Sequence, residues 1–194
     1  MTDLRNMLAT NIGSACAVFA GLDELGDPLG RATAVVGEAL LAGRKLLCCG
    51  NGGSAADSAH LSAEIAGRYK LDRRGFAAID LTANHSLVTS LINDYPPVEL
   101  FARQVEALGA AGDVLAAFTT SGDSQNVRLA LVRAQDRGLK TIAFLGRDGG
   151  ACKGIADVEL LVPSDVTARI QEAHLLLYHT MCEALDPLLA ASSA

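Results

Sequence analysis

Short apolar runs alternate with helix-length segments through most of this 194-residue chain. Five such runs stand at 45–49, 77–81, 114–118, 140–145 and 158–162, each of strand length and each closed by Gly, Pro or a polar loop. Neighbouring parallel strands cannot be joined by a tight turn, so a long crossover, usually a helix, must lie between them. The alternation therefore predicts an α/β fold: a three-layer αβα sandwich with a central parallel sheet and right-handed crossovers. Residues 1–43 read as N-terminal helices and 44–194 as the α/β core, together one domain with no linker or repeat.

The helical segments follow from period and punctuation. Leu4, Met7, Leu8, Ile12, Cys16 and Phe19 recur at spacings of three and four, and Gly26-Asp27-Pro28 predicts a break before a second helix over 32–41. Further helices are expected at 55–67, capped by Ser54, and at 85–92, 98–107, 125–137 and 167–189. Aromatic residues make up 4% of the chain and Trp is absent, so Ala, Leu, Val and Ile must build the core.

Charge and cysteine usage exclude several partners. The net charge is −6 and no basic stripe exists, so no nucleic-acid partner is expected. The densest basic cluster, Arg68, Lys70, Arg73 and Arg74, reads as a solvated loop. Five cysteines lack metal-type spacing, and Cys48 and Cys49 sit in an apolar run as small hydrophobes. A reducing compartment is implied. No apolar run approaches the ~20 residues that cross a bilayer, and no basic-then-apolar leader follows Met1. The expected setting is the cytoplasm, away from membranes.

Ligands of open parallel sheets bind beyond the carboxyl ends of the strands. Two loops there carry unusual chemistry. Asn51-Gly52-Gly53-Ser54 lets backbone approach a ligand and opens a helix whose free N–H groups suit an anion, although glycine would serve a plain turn equally well. It is neither a P-loop nor the dinucleotide pattern, which argues against a dinucleotide-dependent oxidoreductase. Thr119, Thr120, Ser121 and Ser124 offer four hydroxyls ahead of another helix; one would suffice for an ordinary N-cap, so a phosphate monoester is the better reading.

Acid–base candidates lie on two helices. His60 and Glu64 share a helix face, and Asp57 could orient the imidazole. On the last helix stand Gln171, His174 and His179; a lone histidine in so apolar a stretch is more often a core residue than a catalyst. Gln171 and His179 are eight residues apart, roughly 12 Å along a helix. To act at one centre they need convergent side chains, a bend or a second subunit.

The run from Cys49 to Tyr69, Cys-Gly-Asn-Gly-Gly-Ser-Ala-Ala-Asp-Ser-Ala-His-Leu-Ser-Ala-Glu-Ile-Ala-Gly-Arg-Tyr, resembles the signature of the phosphoheptose isomerase family, on the SIS (sugar isomerase) fold. Asn93-Asp94, the Thr119–Ser124 loop, Asp148-Gly149-Gly150 and Arg169-Ile-Gln-Glu-Ala-His174 with His179 match in the same order. The resemblance implies an aldose–ketose isomerase converting sedoheptulose 7-phosphate to D-glycero-D-manno-heptose 7-phosphate through an enediol. It implies zinc at His60, Glu64, Gln171 and His179, catalysis by Glu64 and His179, and a homotetramer with interfacial active sites. Substrate contacts are implied at Asn51, Gly52, Gly53, Ser54, Glu64, Asn93, Asp94, Thr119, Thr120, Ser121, Ser124 and Gln171. Two departures stand out: Asp123, where the family more often has Asn, would repel a phosphate unless it points away, and Ala168 stands where some members have Asp. A non-catalytic SIS module that binds a sugar phosphate or a replication initiator is the alternative, as is an isomerase for another sugar phosphate; His60, Glu64 and His179 together favour the enzyme.

Overall fold

The computed structural model describes residues 3–192. Its elements are α1 (Leu4–Phe19), α2 (Gly26–Leu41), β1 (Leu46–Gly50), α3 (Gly53–Ala66), β2 (Ala78–Asp80) and α4 (His85–Asp94). They continue as α5 (Ala102–Leu108), β3 (Val114–Thr119), α6 (Gln125–Asp136), β4 (Lys140–Gly146), β5 (Val158–Val162) and α7 (Thr167–Ala191). All five expected strands form, and every pairing is parallel, in the order β2-β1-β3-β4-β5.

Burial on both faces explains why the strands read as unbroken apolar runs rather than alternating ones. Successive side chains point to opposite faces. Leu46, Cys48, Val114, Ala116 and Phe118 enter one core with residues of α2, α3 and α7. Leu47, Cys49, Leu115 and Ala117 enter the other with Phe101, Val105, Val127 and Leu131 from the α5–α6 side. Helices on both faces of one parallel sheet make the αβα sandwich. Among the described residues no helix is long and apolar enough to cross a membrane.

Four local expectations need correction. The N-terminal break falls at a 3-10 turn, Leu22–Leu25, and Pro28 lies in the first turn of α2, where its missing N–H leaves no intrahelical bond unmade. The helix expected over 98–107 divides into a 3-10 turn, Pro97–Glu99, and α5. Ser54 does not cap α3: Gly52 holds the N-cap position and Ser54 is buried within the first turn.

Arg73 is the fourth. Its side chain is 1% exposed and ion-paired to Asp186 of α7 at 3.0 Å. The same guanidinium donates to the carbonyls of Glu64, Ile65 and Gly67, acceptors at the end of α3 and its C-cap that the next turn of helix does not reach. Lys70 and Leu71 donate backbone N–H groups to Asp186. The loop after α3 is therefore stapled to α7 by its charges, an arrangement invisible when Arg73 is read among its exposed neighbours.

Candidate active site

The strand order reverses direction between β1 and β3, the switch point at which open parallel sheets form their ligand crevice. Gly50 of β1 pairs in register with Phe118 of β3, so the two expected loops leave the sheet side by side. A reciprocal amide pair joins them: Asn51 and Asn126 each donate to the other's side-chain oxygen at 2.9 Å. Asn126 has no sequence signal for this role, since its partner is 75 residues away.

Glycine is favoured in the first loop at Gly52, whose φ of 57° is one that side chains resist. At Gly53 an added Cβ would meet the Gln171 amide, the end of a flexible side chain over the start of α3, and would displace that side chain rather than the backbone.

The second loop is organised around Thr119. Its side chain is buried, its Oγ1 accepts from the Gly122 N–H at 3.2 Å, and it lies 3.1 Å from the Ser124 hydroxyl. Ser124 occupies the N-cap position of α6, yet its hydroxyl makes no capping bond. Ser121 accepts from the Asp123 N–H at 3.1 Å. Thr119 is thus the interior support, while Thr120, Ser121 and Ser124 remain half-buried at the surface of the loop. The Asp123 carboxylate accepts from the Ala151 N–H at 3.0 Å, a partner outside the hydroxyl loop.

Further along α3, the acid–base candidates converge with α7. His60 Nε2 lies 3.0 Å from Glu64 Oε1 and 3.4 Å from His179 Nε2. One ligand atom from each of the three falls within 4.8 Å of the others. Two imidazole nitrogens and a carboxylate oxygen are a donor set that zinc takes, so the chemistry of these side chains fits the ion. Burial and the neighbouring His60 hold the His179 imidazole below its ordinary pKa, against the pull of Glu64, which favours the neutral, lone-pair-bearing ring.

The other candidates separate. Gln171 lies against Gly53, about two helical turns from His179 along α7, while His60, Glu64 and His179 stand together. Asn93 and Asp94 are exposed at the end of α4 and hydrogen-bond to each other at 2.7 Å; among the described residues neither bonds to the cluster. Asp57 does not orient His60. Burial pushes its carboxyl up to about 6, against the lowering effect of His60. The group bonded to His60 Nδ1 at 2.9 Å is the Tyr178 hydroxyl, which the sequence did not mark. His174 is fully buried with Nε2 3.1 Å from the Leu145 carbonyl. The core histidine expected on this helix is His174, not His179.

A switch-point sheet with a hydroxyl-lined loop beside a His–Glu–His cluster defines a protein of the SIS domain class, and the family model described as SIS domain matches residues 14–146. The chain is 47% identical over 170 residues to phosphoheptose isomerase of Helicobacter pylori strain P12, covering 88% of each chain. The structure of phosphoheptose isomerase from Neisseria gonorrhoeae superposes with a TM-score of 0.90 at 40% identity, covering 95% of this chain and 99% of that one. That from Francisella tularensis gives 0.91 at 34% identity, covering 96% and 100%. This chain belongs to the phosphoheptose isomerase family.

Proposed function

We propose that the chain isomerises sedoheptulose 7-phosphate to D-glycero-D-manno-heptose 7-phosphate, supplying heptose for bacterial surface polysaccharide. The observation that carries this reading is the convergence of His60, Glu64 and His179 across α3 and α7. A non-catalytic module would have no need to bring three such groups together.

The reaction moves hydrogen between adjacent carbons. A base takes a proton from C1 of the ketose, the electron pair forms the C1–C2 double bond of an enediol, and the C2 oxygen gains a proton. Protonation at C2 and loss of the O1 proton complete the aldose. Such a sequence needs an acid and a base near neighbouring atoms. Glu64 and His179 carry these transfers between them. Thr120, Ser121 and Ser124, with the α6 N-terminus, hold the phosphate, Thr119 supports them from beneath, and Asn51 to Ser54 close the other side of the crevice. Asn93 and Asp94 are proposed as further sugar contacts.

The cluster is proposed to hold zinc through His60, Glu64 and His179, with Gln171 as the fourth ligand. When bound, zinc supplies a positive charge that polarises the sugar carbonyl. Because Gln171 and His179 of one chain stand about two turns apart, Gln171 would come from a neighbouring copy. That separation supports a homotetramer with active sites between subunits. We place the enzyme in the cytoplasm as a single SIS domain, with no nucleic-acid or membrane partner.

Product formation from sedoheptulose 7-phosphate by the purified chain tests the reading, assayed with chelator and then with restored zinc. Turnover that falls and recovers supports it. Turnover indifferent to chelator removes the zinc, and absence of turnover in every metal condition removes the isomerase.

A further inference from the structure

Tyr178 has no part in the chemistry above, yet its hydroxyl is placed on the one nitrogen of His60 that faces away from the cluster. The Tyr178 residue is 1% exposed, and its ring packs edge-on against Phe118 at 6.1 Å and 88° and beside His60 at 5.4 Å. Among the described residues its hydroxyl makes one hydrogen bond, to His60 Nδ1 at 2.9 Å. His60, by contrast, is an exposed side chain, 42% accessible, near the middle of α3. Left alone its ring would turn about the Cβ–Cγ bond, and a half-turn takes Nε2 out of reach of Glu64 and His179.

We propose that Tyr178 is the positioning residue of His60: its buried phenol pins Nδ1 and so holds Nε2 toward Glu64 and His179. This rests on the zinc reading of the cluster for its consequence, though not for its geometry. A phenol hydroxyl both donates and accepts. With Nε2–H donating to Glu64, Nδ1 is the acceptor and the tyrosine donates. With the Nε2 lone pair given to a cation, Nδ1 carries the proton and donates to the tyrosine oxygen. One contact therefore serves both states of the imidazole, whereas a carboxylate could serve only the second. Outer-shell partners of this kind typically change metal affinity about 10–100-fold.

The test is Tyr178→Phe in the full chain, which keeps the ring and removes the hydroxyl. Zinc affinity is measured by competition with a chromophoric chelator, the melting temperature on zinc-stripped protein, and the His60 tautomer from imidazole nitrogen chemical shifts. Expected are zinc affinity about 10–100-fold weaker, a zinc-stripped melting temperature within about 4 °C of wild type, and a His60 that passes from one tautomer to an average. Activity at limiting zinc falls and recovers in excess zinc. Unchanged affinity together with an unchanged His60 spectrum overturns the proposal. So do wild-type His60 nitrogen shifts that show Nδ1 without a hydrogen bond, a measurement that needs no variant to fold. If the wild type binds no zinc, the metal reading fails by itself, and the effect of Tyr178→Phe on the His60 spectrum still decides the tyrosine's role.

Discussion

Arg73 and Asp186, 113 residues apart in the chain, form a buried ion pair at 3.0 Å with side chains 1% and 2% exposed. The pair fastens the end of α3, which carries His60 and Glu64, to α7, which carries His179. Burial alone would raise the Asp186 pKa; the N–H groups of Leu71 and Lys70 and the Arg73 guanidinium outweigh it and hold the carboxyl below its ordinary value. Removing one member leaves a buried charge without its partner, which costs about 3–5 kcal/mol. Arg73→Ala or Asp186→Ala should lower stability by that amount in urea unfolding. A loss under about 1 kcal/mol would show that the pair is not buried in solution.

Glu64→Gln keeps the shape of the side chain and removes its basicity. It should leave the melting temperature near that of wild type and lower kcat by a factor of about 10²–10⁴, the usual worth of a positioned acid–base group. His179→Gln should do the same. A Glu64→Gln enzyme with undiminished kcat at saturating zinc would refute the carboxylate's part in proton transfer.

Ser124 is bonded to Thr119 rather than to the helix it precedes. Ser124→Ala should therefore cost little stability, about 1 kcal/mol, while raising KM. Ser121→Asp places a negative charge in the cradle and should raise KM further. KM values equal to wild type in both variants would remove the phosphate assignment from this loop.

His174 makes stability depend on pH. Burial depresses its pKa from about 6.5 to about 4, against a small opposing effect of its bond to the Leu145 carbonyl. Above pH 6.5 the imidazole is neutral both folded and unfolded, and its full contribution is present. As pH falls toward 4 the unfolded chain takes up a proton that the folded chain refuses, so stability is lost. Between pH 7.5 and pH 5 the loss from this group is about 2 kcal/mol. Urea titrations at the two pH values, compared with His174→Gln, isolate it from other carboxylates and histidines. Equal pH dependence in variant and wild type would contradict the burial.

Much of the site was legible because it is local. The glycine loop follows β1 and the hydroxyl loop follows β3, and each strand declared itself by an apolar run with a polar stop. His60 and Glu64 share a face through helical spacing alone. Ser54 misled because its residue type favours caps, whereas the left-handed Gly52 already turns the chain into α3 and leaves Ser54 inside it. Pro28 misled because proline reads as a breaker, although the first turn of a helix accepts it.

By itself the sequence determined the parallel α/β architecture, the loops at the carboxyl ends of its strands and the residue types available for proton transfer, because periodicity and turn chemistry act over a few residues. Tertiary structure decided which groups meet. It put Tyr178 on His60, Arg73 on Asp186, Asn126 on Asn51 and Gln171 on Gly53, and it sent His174 rather than His179 into the core. Each of those contacts spans dozens of residues and arises from how α3, α6 and α7 pack around the sheet. Local spacing carries no record of such packing; it emerges only when the apolar faces of the helices are buried together.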